Sequence, residues 1–312
     1  MSIRLALAGN PNCGKTTMFN ELTGAAQYVG NWPGVTVEKK EGRCRADKTV
    51  LITDLPGIYS LSPYTLEEVV TRDFLVNEQP DAVINLVDAS NIERNLYLTT
   101  QLLEMGLPVV VALNMMDIVA KRGDVIDTAQ LSARLGVPVV ETTALKGKGV
   151  RELGETAKPQ VHRFEACIEN ALTQIECMIR DVTEPAQRRW FAVKLFERDE
   201  KVLARFRFGA DAREKLETLV AAVEETLDDD AESIITDARY QYIAQVVKPC
   251  VQKKQTGMTL SDRIDHIVTN RFLALPIFAL VMFLVYYVSV TTVGTVLTDW
   301  ANDGVFGEGW HL

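Results

Sequence analysis

The sequence contains few cysteines, and their spacing indicates neither a disulfide framework nor a zinc site. Among its 312 residues there are five cysteines, and no two of them form a Cys-x-x-Cys pair. An odd, scattered set of this kind is typical of a protein from a reducing compartment. The five are Cys13, Cys44, Cys167, Cys177 and Cys250.

Positive charge is also scarce. The chain has 33 Lys and Arg against 42 Asp and Glu, which gives a formal net charge of −9. Because nucleic-acid-binding surfaces are basic, we expect no nucleic-acid partner. The sequence also lacks repeats, low-complexity tracts and a basic N-terminal segment followed by a long apolar run, so we expect no secretory signal. Its hydrophobic content of 47 % is ordinary for a globular protein, and its length allows two domains.

A glycine-containing motif near the start predicts a phosphate-binding loop. Residues 9–16 read GNPNCGKT, which fits G-x-x-x-x-G-K-[ST] between an apolar strand pattern at 3–8 and a helix pattern from Thr17. Backbone N–H groups and the helix dipole favour an anion there. Lys15 is expected to reach the β- and γ-phosphates, and Thr16 to hold magnesium. The predicted nucleotide contacts are Gly9, Asn10, Pro11, Asn12, Cys13, Gly14, Lys15, Thr16 and Thr17.

Further polar clusters follow apolar strand patterns at helix-sized intervals. Asp54-Leu55-Pro56-Gly57 follows residues 49–53, Asn114-Met115-Met116-Asp117 follows 108–113, and Thr142-Thr143-Ala144 comes just after 137–140. Helical apolar spacing lies between the strands, for example over 95–105. This alternation predicts an α/β fold with a mostly parallel sheet, and ligands bind at the carboxyl ends of such strands.

The clusters have distinct expected roles. Asp54 would hold magnesium through water, and the Gly57 N–H would contact the γ-phosphate. The Asp117 carboxylate can accept two hydrogen bonds from guanine, whereas adenine would leave it unpaired at a cost of roughly 1–3 kcal/mol. Asn114, Met115, Thr142, Thr143 and Ala144 complete the predicted base site, so the order of motifs predicts a GTPase.

Two different sequence patterns lie between the first helix and the D-x-x-G cluster at residues 54–57. Residues 25–33 show turn signals and no period, which predicts a mobile loop, while 34–45 and 49–53 flank a turn and predict a hairpin. Residues 25–38 contain no Lys or Arg, so no arginine finger is expected there.

The second half reads as helical. Residues 159–256 show no strand pattern and predict a bundle of about five helices, with one start at Thr183-Glu184-Pro185. We divide the chain into a GTPase domain at 1–158, an all-α helical domain at 159–256, a juxtamembrane segment at 257–271, a transmembrane helix at 272–298 and a tail at 299–312.

The transmembrane prediction depends on a run without charge. Residues 272–298 hold no charged side chain over 27 positions, and a helix of that length exceeds a hydrocarbon layer of roughly 30 Å. Arg263 and Arg271 precede the run and acidic residues follow it, which places the GTPase on the cytoplasmic side. Since one span cannot form an ion pathway, we expect the chain to be part of a larger transporter.

Two stretches carry a family resemblance. The loop GNPNCGKT and residues 30–42, GNWPGVTVEKKEG, closely resemble the cytosolic part of the bacterial ferrous iron transport protein B family, and residues 1 to about 155 look like Ras-type GTPases. The resemblance implies a Ras-like P-loop GTPase in which Thr36, with Gly34 and Val35, forms switch one and Thr36 binds magnesium. Switch two would run from Asp54 to about residue 68.

The same resemblance implies the biology. It implies ferrous iron transport at the bacterial inner membrane, a helical domain that favours GDP retention, a downstream membrane domain, small cytosolic accessory proteins and an oligomer. Two positions depart from the wider superfamily: Met115 replaces a Lys, and Ile58 replaces the catalytic Gln.

Asn12 is expected to bind potassium. Its side-chain carbonyl would lie beside the β–γ bridge, backbone carbonyls of residues 28–34 could close over the same point, and related GTPases with Asn here use potassium. The predicted catalytic residues are Asn12, Lys15, Thr36 and Gly57, for slow, potassium-stimulated hydrolysis of GTP to GDP and phosphate.

Two alternatives stay open at this stage. One is a soluble ribosome- or tRNA-associated GTPase, against which the acidity and the uncharged run both count. The other is a nucleotide-gated switch with negligible hydrolysis, which Ile58 keeps open.

Overall fold

The computed structural model describes residues 3–24, 27–62, 64–142, 158, 160–254, 268, 274–295, 297 and 300. The chain divides into two compact units, Met1–Lys254 and Gln255–Leu312.

The first unit is built on a seven-stranded sheet. Five of its strands run parallel in the order β4-β1-β5-β6-β8, and β2-β3 extend it antiparallel from β4. The strands are β1 Ile3–Gly9, β2 Gln27–Asn31, β3 Glu38–Arg43, β4 Val50–Asp54, β5 Ala82–Asp88, β6 Val109–Asn114, β7 Val125–Ile126, β8 Val139–Glu141 and β9 Val251–Gln252, with β7 and β9 pairing separately. The helices between them are α1 Lys15–Thr23, α2 Leu66–Glu78, α3 Ile92–Glu104, α4 Met116–Arg122 and α5 Thr128–Leu135.

The parallel sheet predicted from the alternating pattern is confirmed. Strands β1, β5 and β6 are buried along nearly their whole length, because helices cover both faces. One face packs against α1, whose Met18 and Phe19 belong to the same buried hydrophobic cluster as Leu5 and Leu7 of β1. The predicted hairpin is confirmed as well, with β3 and β4 paired from Lys40↔Asp54 to Arg43↔Leu51.

The prediction of a loop over residues 25–33 is wrong. Residues 27–31 form β2, which pairs with β3 from Gln27↔Gly42 to Asn31↔Glu38. The strand lies at the sheet edge, and Tyr28 and Val29 are exposed. Backbone pairing therefore holds it, and no buried face imposes the apolar alternation by which a strand is recognised.

A five-helix bundle follows, as predicted, within residues 160–254. Its helices are α6 Ala166–Met178, α7 Arg188–Phe196, α8 Glu200–Phe206, α9 Ala210–Leu227 and α10 Ala231–Val247. The Asp230 carboxylate caps α10 by accepting hydrogen bonds from the N–H groups of Glu232 and Ser233, as expected for a charge at a helix start.

Two predictions in this region need correction. The helix after Pro185 begins at Arg188, because residues 184–187 close a turn through the Gln187 N–H and the Glu184 carbonyl at 3.1 Å. The bundle region also contains strand β9, which pairs with β7. Two residues are too few to show a period of two, so this strand could not be found from the pattern.

The second unit contains α11, Ala274–Tyr287, which continues as a wider π-helical segment over Val288–Gly294. Its described side chains are exposed or intermediate and none is charged. Residues 274–291 are long and apolar enough to cross a membrane, and none of that window is buried within the structure.

A buried ionic cluster joins the bundle to the sheet domain. Arg239 of α10 donates from Nε and Nη2 to the carboxylate oxygens of Glu104 on α3, at 2.9 and 2.7 Å, and from Nη1 to Glu197 at 2.8 Å. Arg239 and Glu104 are about 1 % and 0 % exposed. A single cluster of buried hydrophobic residues includes Leu96 and Leu103 of α3 and residues of every bundle helix. The sheet domain and the bundle therefore share one core.

Replacing the buried cation should destabilise the first unit strongly. Arg239→Met leaves the buried Glu104 carboxylate without its bidentate partner, and the expected loss is about 3–5 kcal/mol of unfolding free energy in urea denaturation. Arg4→Met is the matched control, since Arg4 pairs with Glu78 at the surface and should cost less than about 1 kcal/mol. Equal losses in the two variants would contradict a stabilising role for the buried cluster.

Candidate functional site

The predicted phosphate loop connects β1 to α1, and its path depends on two residues with a positive φ. Gly14 has a φ of +93°, and a Cβ there would lie 2.3 Å from Nδ2 of Asn114, so only glycine fits. Asn12 also has a left-handed φ, +64°, and its side chain is exposed. The N-terminus of α1 follows directly, with Thr16 and Thr17 exposed in its first turn.

Lys15 at the start of α1 and Asp54 at the end of β4 form a largely buried ion pair. The Lys15 Nζ donates to Asp54 Oδ1 at 2.7 Å, and the two side chains are 12 % and 8 % exposed. Burial raises the pKa of the Asp54 carboxyl, and the Lys15 ammonium opposes that rise. The structure thus brings the phosphate loop and the end of β4 together, as predicted from the two motifs.

The Gly57 segment lies directly on the phosphate loop. A Cβ at Gly57 would lie 3.3 Å from the Cα of Pro11, and the Ile58 N–H donates to the Gly9 carbonyl at 3.3 Å. The Ile58 side chain is 2 % exposed and belongs to the core. The position that holds a water-orienting glutamine in Ras-type proteins therefore faces the interior here.

Asn114 connects the phosphate loop to the base-site cluster. Its Nδ2 donates to the Cys13 carbonyl at 2.8 Å, and its Oδ1 accepts from the Thr142 hydroxyl at 3.2 Å. Sequence reasoning assigned Asn114 to base recognition and missed this cross-link, which joins segments 101 residues apart in the chain. No spacing rule identifies such a contact.

The predicted base-reading residues lie at the start of α4. Met115 has a φ of +62° and begins the turn into the helix, and Asp117 lies in the first turn with its side chain 69 % exposed. In the described part of the chain it pairs with Lys121, with 3.6 Å between carboxylate and ammonium. The predicted contacts Thr143 and Ala144 lie outside the described residues.

The predicted switch-one residues occupy the turn of the β2–β3 hairpin. The Trp32 N–H donates to the Val37 carbonyl at 2.9 Å, and Gly34, Val35 and Thr36 lie between them. Thr36 is exposed, and among the described residues no hydrogen bond joins it to Thr16 or Asp54.

Trp32 anchors this turn, a role that the sequence reasoning missed. Its side chain is 7 % exposed and packs edge-on against Phe74 of α2, with 5.3 Å between ring centroids. The Lys39 ammonium lies 5.0 Å above the indole ring. The sequence signal that could have revealed this role is a large apolar residue, Trp32, within a polar stretch that contains Gly and Asn.

The oxygen donors of this site suit a hard cation that takes most of its ligands from bound phosphates and water. In the described ranges no group of three or more His, Cys, Asp or Glu could hold a metal ion. The Thr16 hydroxyl and the Asp54 carboxylate are nevertheless hard oxygen donors beside the glycine cradle, and magnesium usually takes one or two protein oxygens together with phosphates and water.

Sequence comparisons identify two family matches that together cover most of the first unit. Residues 3–157 match the family described as ferrous iron transport protein B, and residues 164–252 match the family described as FeoB cytosolic helical domain.

Several curated relatives match nearly the whole chain. The Fe(2+) transport protein A/Fe(2+) transporter FeoB fusion protein of Porphyromonas gingivalis is 44 % identical over 99 % of this chain and 39 % of its own length. The Fe(2+) transporter FeoB of Salmonella typhimurium is 40 % identical over 98 % of this chain and 41 % of its own length. The chain therefore spans about two fifths of these relatives.

Solved structures of the cytosolic part are also similar. NFeoB from S. thermophilus bound to GDP·AlF4⁻ and K⁺ is 42 % identical, with a TM-score of 0.72, and the match covers 79 % of this chain and 99 % of that one. A mutant of the same protein bound to mGDP is 40 % identical with a TM-score of 0.77, over 80 % of this chain and 100 % of that one. These neighbours confirm the predicted Ras-like GTPase fold followed by a helical domain. By sequence and by structure, the chain belongs to the ferrous iron transport protein B family.

Proposed function

We propose that the chain binds GTP, hydrolyses it slowly to GDP and phosphate, and regulates or drives ferrous iron uptake by the transporter of which it forms the cytosolic part. The observation that carries this proposal is the convergence of the four polar clusters at one sheet edge. Lys15 bonds Asp54, Gly57 packs on Pro11, and Asn114 bonds both Cys13 and Thr142. Ligands of parallel α/β sheets bind at this edge.

The phosphates would lie on the loop. The loop and the first turn of α1 offer backbone N–H groups, apart from that of Pro11, and Lys15 supplies the positive charge. Within the described residues, the Asp117 carboxylate makes only a long, exposed ion pair with Lys121, so it would be able to accept two hydrogen bonds from guanine. Thr142, Thr143 and Ala144 would close the base site from the end of β8.

Magnesium would be held by Thr16, Asp54 through water, and Thr36. When bound, the ion neutralises charge that develops on the phosphate oxygens. Because Thr36 lies in the exposed hairpin turn, we propose that it contacts the metal only when the turn rearranges around a bound γ-phosphate.

Catalysis would depend on Asn12, Lys15, Thr36 and Gly57. The buried Ile58 side chain cannot orient a water molecule, so hydrolysis should be slow. The exposed Asn12 amide makes no hydrogen bond within the described part of the chain, and its carbonyl oxygen suits a bound potassium ion. Residues 27–31 belong to β2, so the backbone carbonyls that could join it are chiefly those of the turn at 32–34.

The whole-protein functions are inferred from the family. We propose a GTPase domain at 1–158 and a helical domain at 159–256 that favours GDP retention, both in the bacterial cytosol, then a span at 272–298 in the inner membrane. The family matches, which end at 157 and begin at 164, support that division, and the exposed apolar helix α11 supports the span. The Porphyromonas fusion supports small accessory proteins as partners. A downstream membrane domain and oligomer formation complete the proposal.

One observation favours a second candidate function. Since Ile58 is buried, the chain could act as a nucleotide-gated switch in which binding alone moves the membrane part and hydrolysis is negligible. A steady-state rate of phosphate release that is no greater than that of GTP in buffer would favour the switch over the enzyme.

Asp117→Asn should change base preference from guanine towards xanthine, because the new amide presents an NH₂ donor where xanthine has a carbonyl. Competition of GTP and XTP against a fluorescent guanine nucleotide measures this. Lys121→Met is the matched control, since it removes the neighbouring cation but keeps the carboxylate, and it should retain the preference for GTP. An Asp117→Asn protein that still prefers GTP would show that Asp117 does not read the base.

Potassium should raise the steady-state rate of GTP hydrolysis well above the rate in sodium or choline chloride. Asn12→Ala should remove this difference and leave GDP affinity within about threefold of the wild type. The Asn12 side chain would lie beside the phosphates, and it makes no hydrogen bond to the loop among the described residues. Identical rates in the three salts would instead show that no potassium ion takes the place of the absent arginine finger.

A further inference from the structure

The segment that follows Gly57 is held in place by one buried amide. Gln101 of α3 accepts a hydrogen bond on Oε1 from the Leu61 N–H at 2.7 Å and donates from Nε2 to Ser60 Oγ at 3.1 Å. The same Ser60 hydroxyl accepts from the Ser62 N–H at 3.1 Å and lies 2.9 Å from Ser62 Oγ. Residues 58–62, hereafter the post-glycine segment, are therefore bonded to α3 through a backbone donor and a side-chain acceptor.

Burial makes this arrangement specific. Gln101 is 0 % exposed, so neither end of its amide can exchange its partner for water. A buried amide group left without a partner costs roughly 1–3 kcal/mol, which opposes any movement of the post-glycine segment away from α3.

A second anchor holds the other end of the post-glycine segment. The Ile58 N–H donates to the Gly9 carbonyl of the phosphate loop, and the Gln101 contact with Leu61 follows three residues later. The backbone that presents the Gly57 N–H is thus fixed between the phosphate loop and α3. A displacement at either anchor would change the position of that N–H.

The face of α3 that carries Gln101 also carries the bundle contact. Tyr97, Gln101 and Glu104 are spaced i, i+4 and i+7, which places them on one side of the helix. Tyr97 Oη lies 3.3 Å from the Thr236 hydroxyl, and Glu104 holds Arg239, both on α10. The bundle therefore packs on the same helix face that positions the post-glycine segment.

We propose that Gln101 is a positioning residue for GTP hydrolysis, which holds the post-glycine segment so that the Gly57 N–H meets the γ-phosphate. This inference rests on the proposed GTPase activity. Gln101 touches neither nucleotide nor metal in the proposed site, so its effect should fall on turnover and not on the affinity for GDP, which has no γ-phosphate.

The test uses Gln101→Met in the full chain, because Met fills a similar volume without either hydrogen bond. We expect kcat to fall by about tenfold or more, while the Kd for GDP stays within about threefold, and hydrogen exchange at the Leu61 amide to become faster. Ser60→Ala removes one of the two Gln101 bonds together with the Ser60 contacts to Ser62. It keeps the bond from the Leu61 N–H, so it should give a smaller loss of kcat in the same direction.

Thr99→Val is the matched control. Thr99 lies on the same helix, is equally buried, and accepts a hydrogen bond from Asn85 Nδ2 at 2.7 Å on the side facing β5. Its loss should lower thermal stability without changing kcat or exchange at Leu61. A Gln101→Met protein with the kcat and Leu61 exchange of Thr99→Val would overturn the inference. Wild-type chain without GTPase activity would instead refute the proposed function, and unchanged exchange at Leu61 would still refute the anchor.

Discussion

The buried ion pair between Lys15 and Asp54 is the interaction on which the site depends. β1 and β4 are parallel neighbours in register from Ile3↔Val50 to Leu7↔Asp54, so their carboxyl ends meet, and the pair closes that junction at 2.7 Å. Either charge alone would be strongly disfavoured at this burial. The glycine positions, the close approach of Gly57 to the loop and the Asn114 cross-link all fit around that junction.

Helix α3 connects this sheet edge to the helical bundle. The helix positions the post-glycine segment through Gln101 and holds the bundle through Glu104 and Arg239. A helix held by buried polar contacts on one face transmits displacement more directly than a loop would. This arrangement provides a physical connection between the site and the helical domain, for which the family resemblance implied a role in GDP retention.

The sequence predicted the features that local rules determine. The phosphate loop, the D-x-x-G segment, the parallel sheet and the five bundle helices each have a motif or a period, and the structure contains all of them. Strand β2 was missed because an edge strand has no buried face, and β9 because two residues show no period. The Asn114 cross-link, the Trp32 anchor and the Arg239 cluster join residues far apart in sequence, and only the folded chain brings them together.

We propose that this sheet edge binds a guanine nucleotide through the phosphate loop. Isothermal titration of the full chain with GDP and with ADP, repeated on Lys15→Ala, measures that binding. We expect GDP to bind the wild-type chain and ADP not to bind it. Lys15→Ala should lose GDP binding because the charge-assisted phosphate contact is gone. Equal binding of ADP, or undiminished binding of GDP by Lys15→Ala, would contradict it.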